Sequence, residues 1–132
     1  GQALIEEVDV VDWRDGNPNF GWSIMEGSDC FEASSCDTAG LVLPIYEYPH
    51  SEGCSVTGGV VYRGSAMPEL GGQFLFADYC TGWVRSVDRS GEMREWLPAG
   101  TFSGVTSFGV DSAGEVYLMT TAGSIYALTP AR

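Results

Sequence analysis

The stretch that decides the fold is residues 55–97, SVTGGVVYRGSAMPELGGQFLFADYCTGWVRSVDRSGEMREWL. Short runs rich in β-branched and aromatic residues at 55–63, 73–79, 83–87 and 93–97 are separated by Gly71-Gly72, Thr81-Gly82 and Arg89-Ser90-Gly91. Runs of this kind between turn dipeptides read as strands, and connections this short join antiparallel neighbours. The stretch therefore predicts a four-stranded antiparallel meander, with the size and rhythm of one propeller blade.

Outward from it, further strands are expected at 6–12 and 41–48 on one side and at 106–110, 115–120 and 124–128 on the other. No segment of ten or more residues keeps a 3.6-residue apolar period free of Gly or Pro, so the chain reads as all-β. Counted in blades, residues 1–50 supply two strands and a long loop, 55–98 a whole blade, and 104–130 three strands of another. That is about two blades of a partial β-propeller spanning 1–132. Such sheets leave edges open, to be completed by the remaining blades of a propeller or by copies of the chain itself. A closed ring of three protomers is one arrangement that hides them.

Charge narrows the function. Eighteen acidic residues against six basic ones give a formal net charge of −12, and all six basic residues are Arg. Phosphate backbones and anionic membranes need clustered cations, so neither nucleic acid nor a membrane surface is an expected partner. The absence of Lys removes Schiff-base and P-loop chemistry. No apolar run approaches the ~18 residues of a membrane helix. The first residues, Gly1-Gln2-Ala3-Leu4-Ile5-Glu6-Glu7, have no leader pattern, so the chain reads as a mature segment or a fragment. Cys30, Cys36, Cys54 and Cys80 lack paired zinc spacing and read as disulfides. Of three connectivities, the short gap inside a turn-rich stretch favours Cys30–Cys36, leaving Cys54–Cys80. Disulfides imply a secreted or periplasmic location.

Five motifs occur in order: Glu6-Glu7-Val8-Asp9-Val10-Val11; Asn19-Phe20-Gly21-Trp22-Ser23-Ile24-Met25-Glu26-Gly27; Val56-Thr57-Gly58-Gly59-Val60-Val61-Tyr62-Arg63-Gly64; Phe76-Ala77-Asp78-Tyr79-Cys80-Thr81-Gly82; and Ser107-Phe108-Gly109-Val110-Asp111 with Gly114-Glu115-Val116-Tyr117. Together they resemble the C-terminal portion of the glucose/sorbosone dehydrogenase family. These are six-bladed propellers that include quinoproteins oxidising aldoses with pyrroloquinoline quinone (PQQ) and calcium, and also the hedgehog-interacting proteins, which bind a protein partner.

The resemblance implies a structural calcium held by the Glu7 carboxylate and the Phe20 carbonyl, with Glu26 and Asp29 adding charge nearby. The plainer alternative makes Glu7 a solvated strand carboxylate and Asn19-Phe20-Gly21-Trp22 a turn. The backbone carbonyls that hold the cofactor calcium fall at Gly1 and Gln2, a terminus with little rigidity. Family members grip the quinone carboxylates with cations. Here the matching Lys is replaced at or beside Cys80, and the Arg-x-Arg-Asp run reads Ser103-Gly104-Val105-Thr106, so PQQ lacks its charge-assisted contacts. The family's catalytic His belongs to an early blade, and no catalytic residue is assigned in this chain.

His50, the single histidine, follows Tyr48-Pro49 in a loop and suits a positional or partner-contacting role. Asp111-Ser112-Ala113-Gly114-Glu115 has calcium-loop composition but no EF-hand spacing, and reads as a polar turn. Neighbouring acids such as Glu6/Glu7 point to opposite sides of a strand, which argues against a glycosidase pair. Trp13, Trp22, Trp83 and Trp96 are expected mostly in the core. Two functions follow. One is a fragment of a secreted PQQ-dependent aldose dehydrogenase-like propeller, inactive alone. The other is a non-catalytic propeller module binding a protein or carbohydrate.

Overall fold

The computed structural model describes residues 5–8 and 16–132. Among them the chain is all-β, with antiparallel sheets of two to four strands laid out as part of a propeller. The complete sheet runs β5 (Val56–Val61), β6 (Phe74–Asp78), β7 (Val84–Val87) and β8 (Met93–Leu97) in sequence order, the meander read from the sequence. Before it, β1 (Ile5–Val8) pairs with β4 (Tyr46–Pro49), with Glu7 opposite Glu47. After it come β9 (Val105–Val110), β10 (Val116–Thr120) and β11 (Ile125–Ala127). A single turn of 3-10 helix at Pro68–Leu70 links β5 to β6.

The central sheet is covered on both faces, which is why β6 reads Phe-Leu-Phe-Ala without polar alternation. Leu75 and Ala77 face one way and join Tyr62, Val84, Val105, Val116 and Leu118, a core shared with the β9–β11 sheet. Phe76 faces the other way and joins Val8, Tyr48, Trp83 and Val87, a core shared with β1 and β4. Its rings interlock edge-on, Tyr48–Trp83 at 5.0 Å and Phe76–Trp83 at 5.7 Å between centroids. Stacked sheets with apolar filling between them are what propeller packing requires. Polar seams run beside these cores: Thr57 Oγ1 donates to the Val105 carbonyl at 2.8 Å, and the Val56 N–H donates to Glu6 Oε2 at 2.8 Å.

Gly58-Gly59 sits where the β5–β6 register shifts. A Cβ on Gly59 would collide with the Leu75 carbonyl, so only glycine lets the two backbones approach.

Two elements differ from the sequence expectation. Strand β4 begins at Tyr46, not at 41, because Leu41 forms an isolated parallel bridge with Asn19 and the Val42 N–H bonds to the Asn19 carbonyl. The long loop also contains a small hairpin, β2 (Met25–Glu26) and β3 (Asp29–Cys30). For the expected strand at 6–12, residues 9–12 lie outside the described residues, as do Trp13, Gly1 and Gln2.

Candidate functional site

The most heavily bonded side chain among the described residues ends β6. Asp78 has no solvent exposure, and its carboxylate accepts six donors. Oδ2 takes the Tyr48 hydroxyl and the N–H groups of Cys54 and Ser55, each at 2.9 Å. Oδ1 takes the N–H groups of Cys80 and Thr81 at 2.9 Å and the Thr81 hydroxyl at 3.0 Å. Burial by itself raises the Asp78 pKa, but the donors from Thr81, Ser55 and Tyr48 outweigh it and the net shift is downward. The same contact, with burial as the larger cause, pushes the Tyr48 phenol well above its usual value.

Asp78 thus ties together the two segments that the Cys54–Cys80 disulfide also joins. The two sulfurs and an Asp78 oxygen lie within 4.8 Å of one another, a metal-like spacing. They suit no metal. The sulfurs are bonded to each other, and the carboxylate lone pairs are already spent on N–H and O–H groups. Gly53 backs this hub closely enough that a Cβ there would strike the Asp78 carboxylate and Tyr48.

A second cluster holds the hairpin turn. The Gly27 N–H donates to Glu7 Oε2 at 3.0 Å, while the Ser28 N–H and hydroxyl donate to Glu47 at 2.7 and 2.6 Å. Glu7 and Glu47 are cross-strand partners, so β1 and β4 present two adjacent carboxylates to one turn. Phe20, the other residue matched to calcium, is half-buried in the turn ahead of this hairpin. Its neighbour Gly21 donates to Asn19 Oδ1 and accepts from the N–H groups of Ile24 and Met25. The link from Phe20 to Glu7 runs through that turn and hairpin. Glu6, on the opposite side of β1 from Glu7, accepts from the Val56 N–H and pairs with His50 Nε2 at 2.9 Å.

Other polar groups are similarly committed. Arg85 is buried under Glu52 at 2.9 Å and Glu95 at 3.1 Å, its guanidinium over the Trp83 ring. Burial lowers its pKa, the pair with Glu52 raises it, and the net direction is up. Glu115 accepts the Tyr62 hydroxyl at 2.6 Å and the Ser65 and Ala66 N–H groups, and the Tyr62 hydroxyl foremost holds its pKa down. Asp111 caps its own turn through the Ala113 and Glu115 N–H groups, the polar turn expected from its sequence. Cys30 pairs with Cys36, closing the loop beyond the hairpin.

No protein-family model matches the chain. It is 27% identical to the HIPL1 protein of Arabidopsis thaliana over 168 aligned positions, which cover 100% of this chain and 24% of that protein. The chain therefore spans about a quarter of the length of this relative.

The Asp78 hub was not singled out in the sequence. Its local half was readable, since Asp78 before Tyr79-Cys80-Thr81-Gly82 is an Asx turn in waiting. The donors from Cys54 and Ser55 come from across the fold, where no spacing rule points.

Proposed function

We propose that this chain is part of a secreted, non-catalytic β-propeller whose work is to bind another protein. The commitment of its polar groups carries this reading. Asp78 is saturated, Arg85 is neutralised between Glu52 and Glu95, and the single histidine is engaged with Glu6. A buried carboxylate that accepts six donors, as Asp78 does, has no lone pair left for a substrate proton, and an Arg paired with two carboxylates offers no basic site at all. Likeness to HIPL1, a hedgehog-interacting-like protein, supports the binding class, as two disulfides support a secreted setting.

The quinone of the resembling dehydrogenases does not fit the residues present. The position matched to their Lys falls at or beside Cys80, itself a half-cystine, with no Lys anywhere in the sequence, and the Arg-rich run is replaced by Ser103-Gly104-Val105-Thr106, where Val105 is core. Calcium is implied at Glu7 and the Phe20 carbonyl by the resemblance alone, and Glu7 and Glu47 already hold the nearby turn through the Gly27 and Ser28 N–H groups. In this reading Glu7 and the Phe20 carbonyl hold a structural calcium that fastens the hairpin loop to β1. The open edges of the sheets are covered by further blades or by copies of the chain.

The deciding experiment adds PQQ, calcium and glucose to the intact protein. The expected result is no quinone absorbance on the protein, and it is the absorbance that decides, because a dehydrogenase fragment would also reduce no dye by itself. Quinone absorbance on the protein, or glucose-dependent dye reduction, would overturn the reading. Native mass spectrometry of the chain reads self-assembly directly, and a monomer at every concentration removes the copies as partners.

A further inference from the structure

Half of the exposed large apolar side chains among the described residues belong to one loop body before β4: Trp22 at 66% exposure, Ile24 at 45%, Val42 at 45% and Leu43 at 54%. They are not on a floppy tip. The segments that bear them are joined by the Val42 N–H to the Asn19 carbonyl at 2.8 Å, and the Phe31 N–H donates to the Ile24 carbonyl at 2.9 Å. Trp22 rests on Phe31 with ring centroids 4.6 Å apart, yet keeps most of its surface in water. The Cys30–Cys36 disulfide braces the same body internally, and the Glu7 and Glu47 contacts fix it to β1 and β4. Rigid, exposed aromatic and branched side chains lose little entropy when covered, the property of binding anchors.

The charge around them names the partner's chemistry. Between Arg14 and Arg63 the sequence has no Lys or Arg, while Glu26, Asp29, Glu32 and Asp37 fall within the loop body itself; Glu52, in the same interval, is taken up by Arg85. We infer that this loop body docks a protein surface with an apolar centre and an arginine- or lysine-bearing rim. Apolar contact supplies the affinity, and the carboxylates steer the encounter and reject acidic surfaces at this face, the loop body of a second copy included. The inference rests on the protein-binding reading and adds the face and the partner's charge.

The test uses the intact protein and two amphipathic peptide probes, one of Leu and Arg and its counterpart of Leu and Glu. Binding is followed by methyl shifts of Ile24, Val42 and Leu43. The expected result is salt-sensitive binding of the Arg peptide alone, with shifts at those methyls. Binding should weaken roughly tenfold or more in Trp22→Ser/Leu43→Ser, whose melting temperature stays that of the parent because both residues are exposed. Equal affinity of the double variant, equal binding of the Glu peptide, or self-association abolished by the same substitutions would each overturn it. Failure here without quinone-dependent activity moves the partner to another face, whereas dye reduction with glucose removes the binding reading itself.

Discussion

The sheet β5–β8 and the loop body between β1 and β4 are built by opposite means. The sheet is apolar on both faces, and its strands are held by what they bury, Leu75 and Val84 on one side and Phe76 and Trp83 on the other. The loop body buries little beyond Met25. It is held by a disulfide, by carboxylates gripping Gly27 and Ser28, and by one backbone bridge. Hydrophobic burial gives a region that opens only when the whole fold opens. Polar clasps give a region whose surface is free to carry exposed apolar side chains at low cost to the rest.

The largest effect expected in that contrast lies at Asp78, where the sheet ends. Asp78→Asn keeps the shape but turns an amide toward N–H groups that need an acceptor, and should cost about 4 kcal/mol in urea unfolding. A loss near that of an exposed residue would show that the hub is dispensable. The pH dependence follows in sign. A carboxyl whose folded pKa is depressed contributes stability above its unfolded value, near 4 for Asp. That contribution is lost as pH falls through the lower folded value, so the parent should weaken steeply there and Asp78→Asn should be flatter.

Next come the disulfides, which separate the two regions. Closing the loop between Cys54 and Cys80 is worth about 3.5 kcal/mol by chain entropy and the Cys30–Cys36 loop about 2.4 kcal/mol. The first should appear in global unfolding of Cys54→Ser/Cys80→Ser. It should also be non-additive with Asp78→Asn, since both join the same segments. The second should cost global unfolding clearly less than its chain-entropy value, because the hairpin of Cys30→Ser/Cys36→Ser opens by itself first, and that opening should appear as faster amide exchange there. Equal global losses would erase the distinction drawn between the regions. Within the sheet, Leu75→Ala should cost about 3 kcal/mol, while Val42→Ser in the loop body should cost less than about 0.5 kcal/mol.

The same contrast governs what the sequence disclosed. Strands fixed by burial announce themselves through composition and turn dipeptides, so the meander from β5 to β8 and strands β9 and β10 were readable, while β11, exposed along its length, was readable from the Thr121-Ala122-Gly123 turn before it. The loop body is fixed by contacts between distant residues, and there the reading ran out. The hairpin at Met25–Glu26 and Asp29–Cys30 has strands too short to show alternation, and its turn is held by Glu7 and Glu47, which lie about twenty positions away on either side. Leu41-Val42-Leu43 looks like a strand by composition, yet it is exposed or half-buried and ends at Pro44, which has no N–H for a ladder. The disulfides were legible from spacing, the hub beside one of them only in its Asx turn.

The smallest effect tests the seam between β1 and β5, where Glu6 serves two partners. One oxygen pairs with His50 at the surface, and the other accepts the Val56 N–H. A partly exposed hydrogen bond between an imidazole and a carboxylate is worth about 0.5 kcal/mol, so His50→Ala should do little. Removing the carboxylate also strips a strand N–H of its acceptor, so Glu6→Ala should cost about 1.5 kcal/mol. The double variant should match Glu6→Ala alone, because His50 then has nothing left to lose on β1. If His50→Ala costs as much as Glu6→Ala, the histidine holds the seam, and the sheets on either side are joined by a surface side-chain contact and not by the backbone contact.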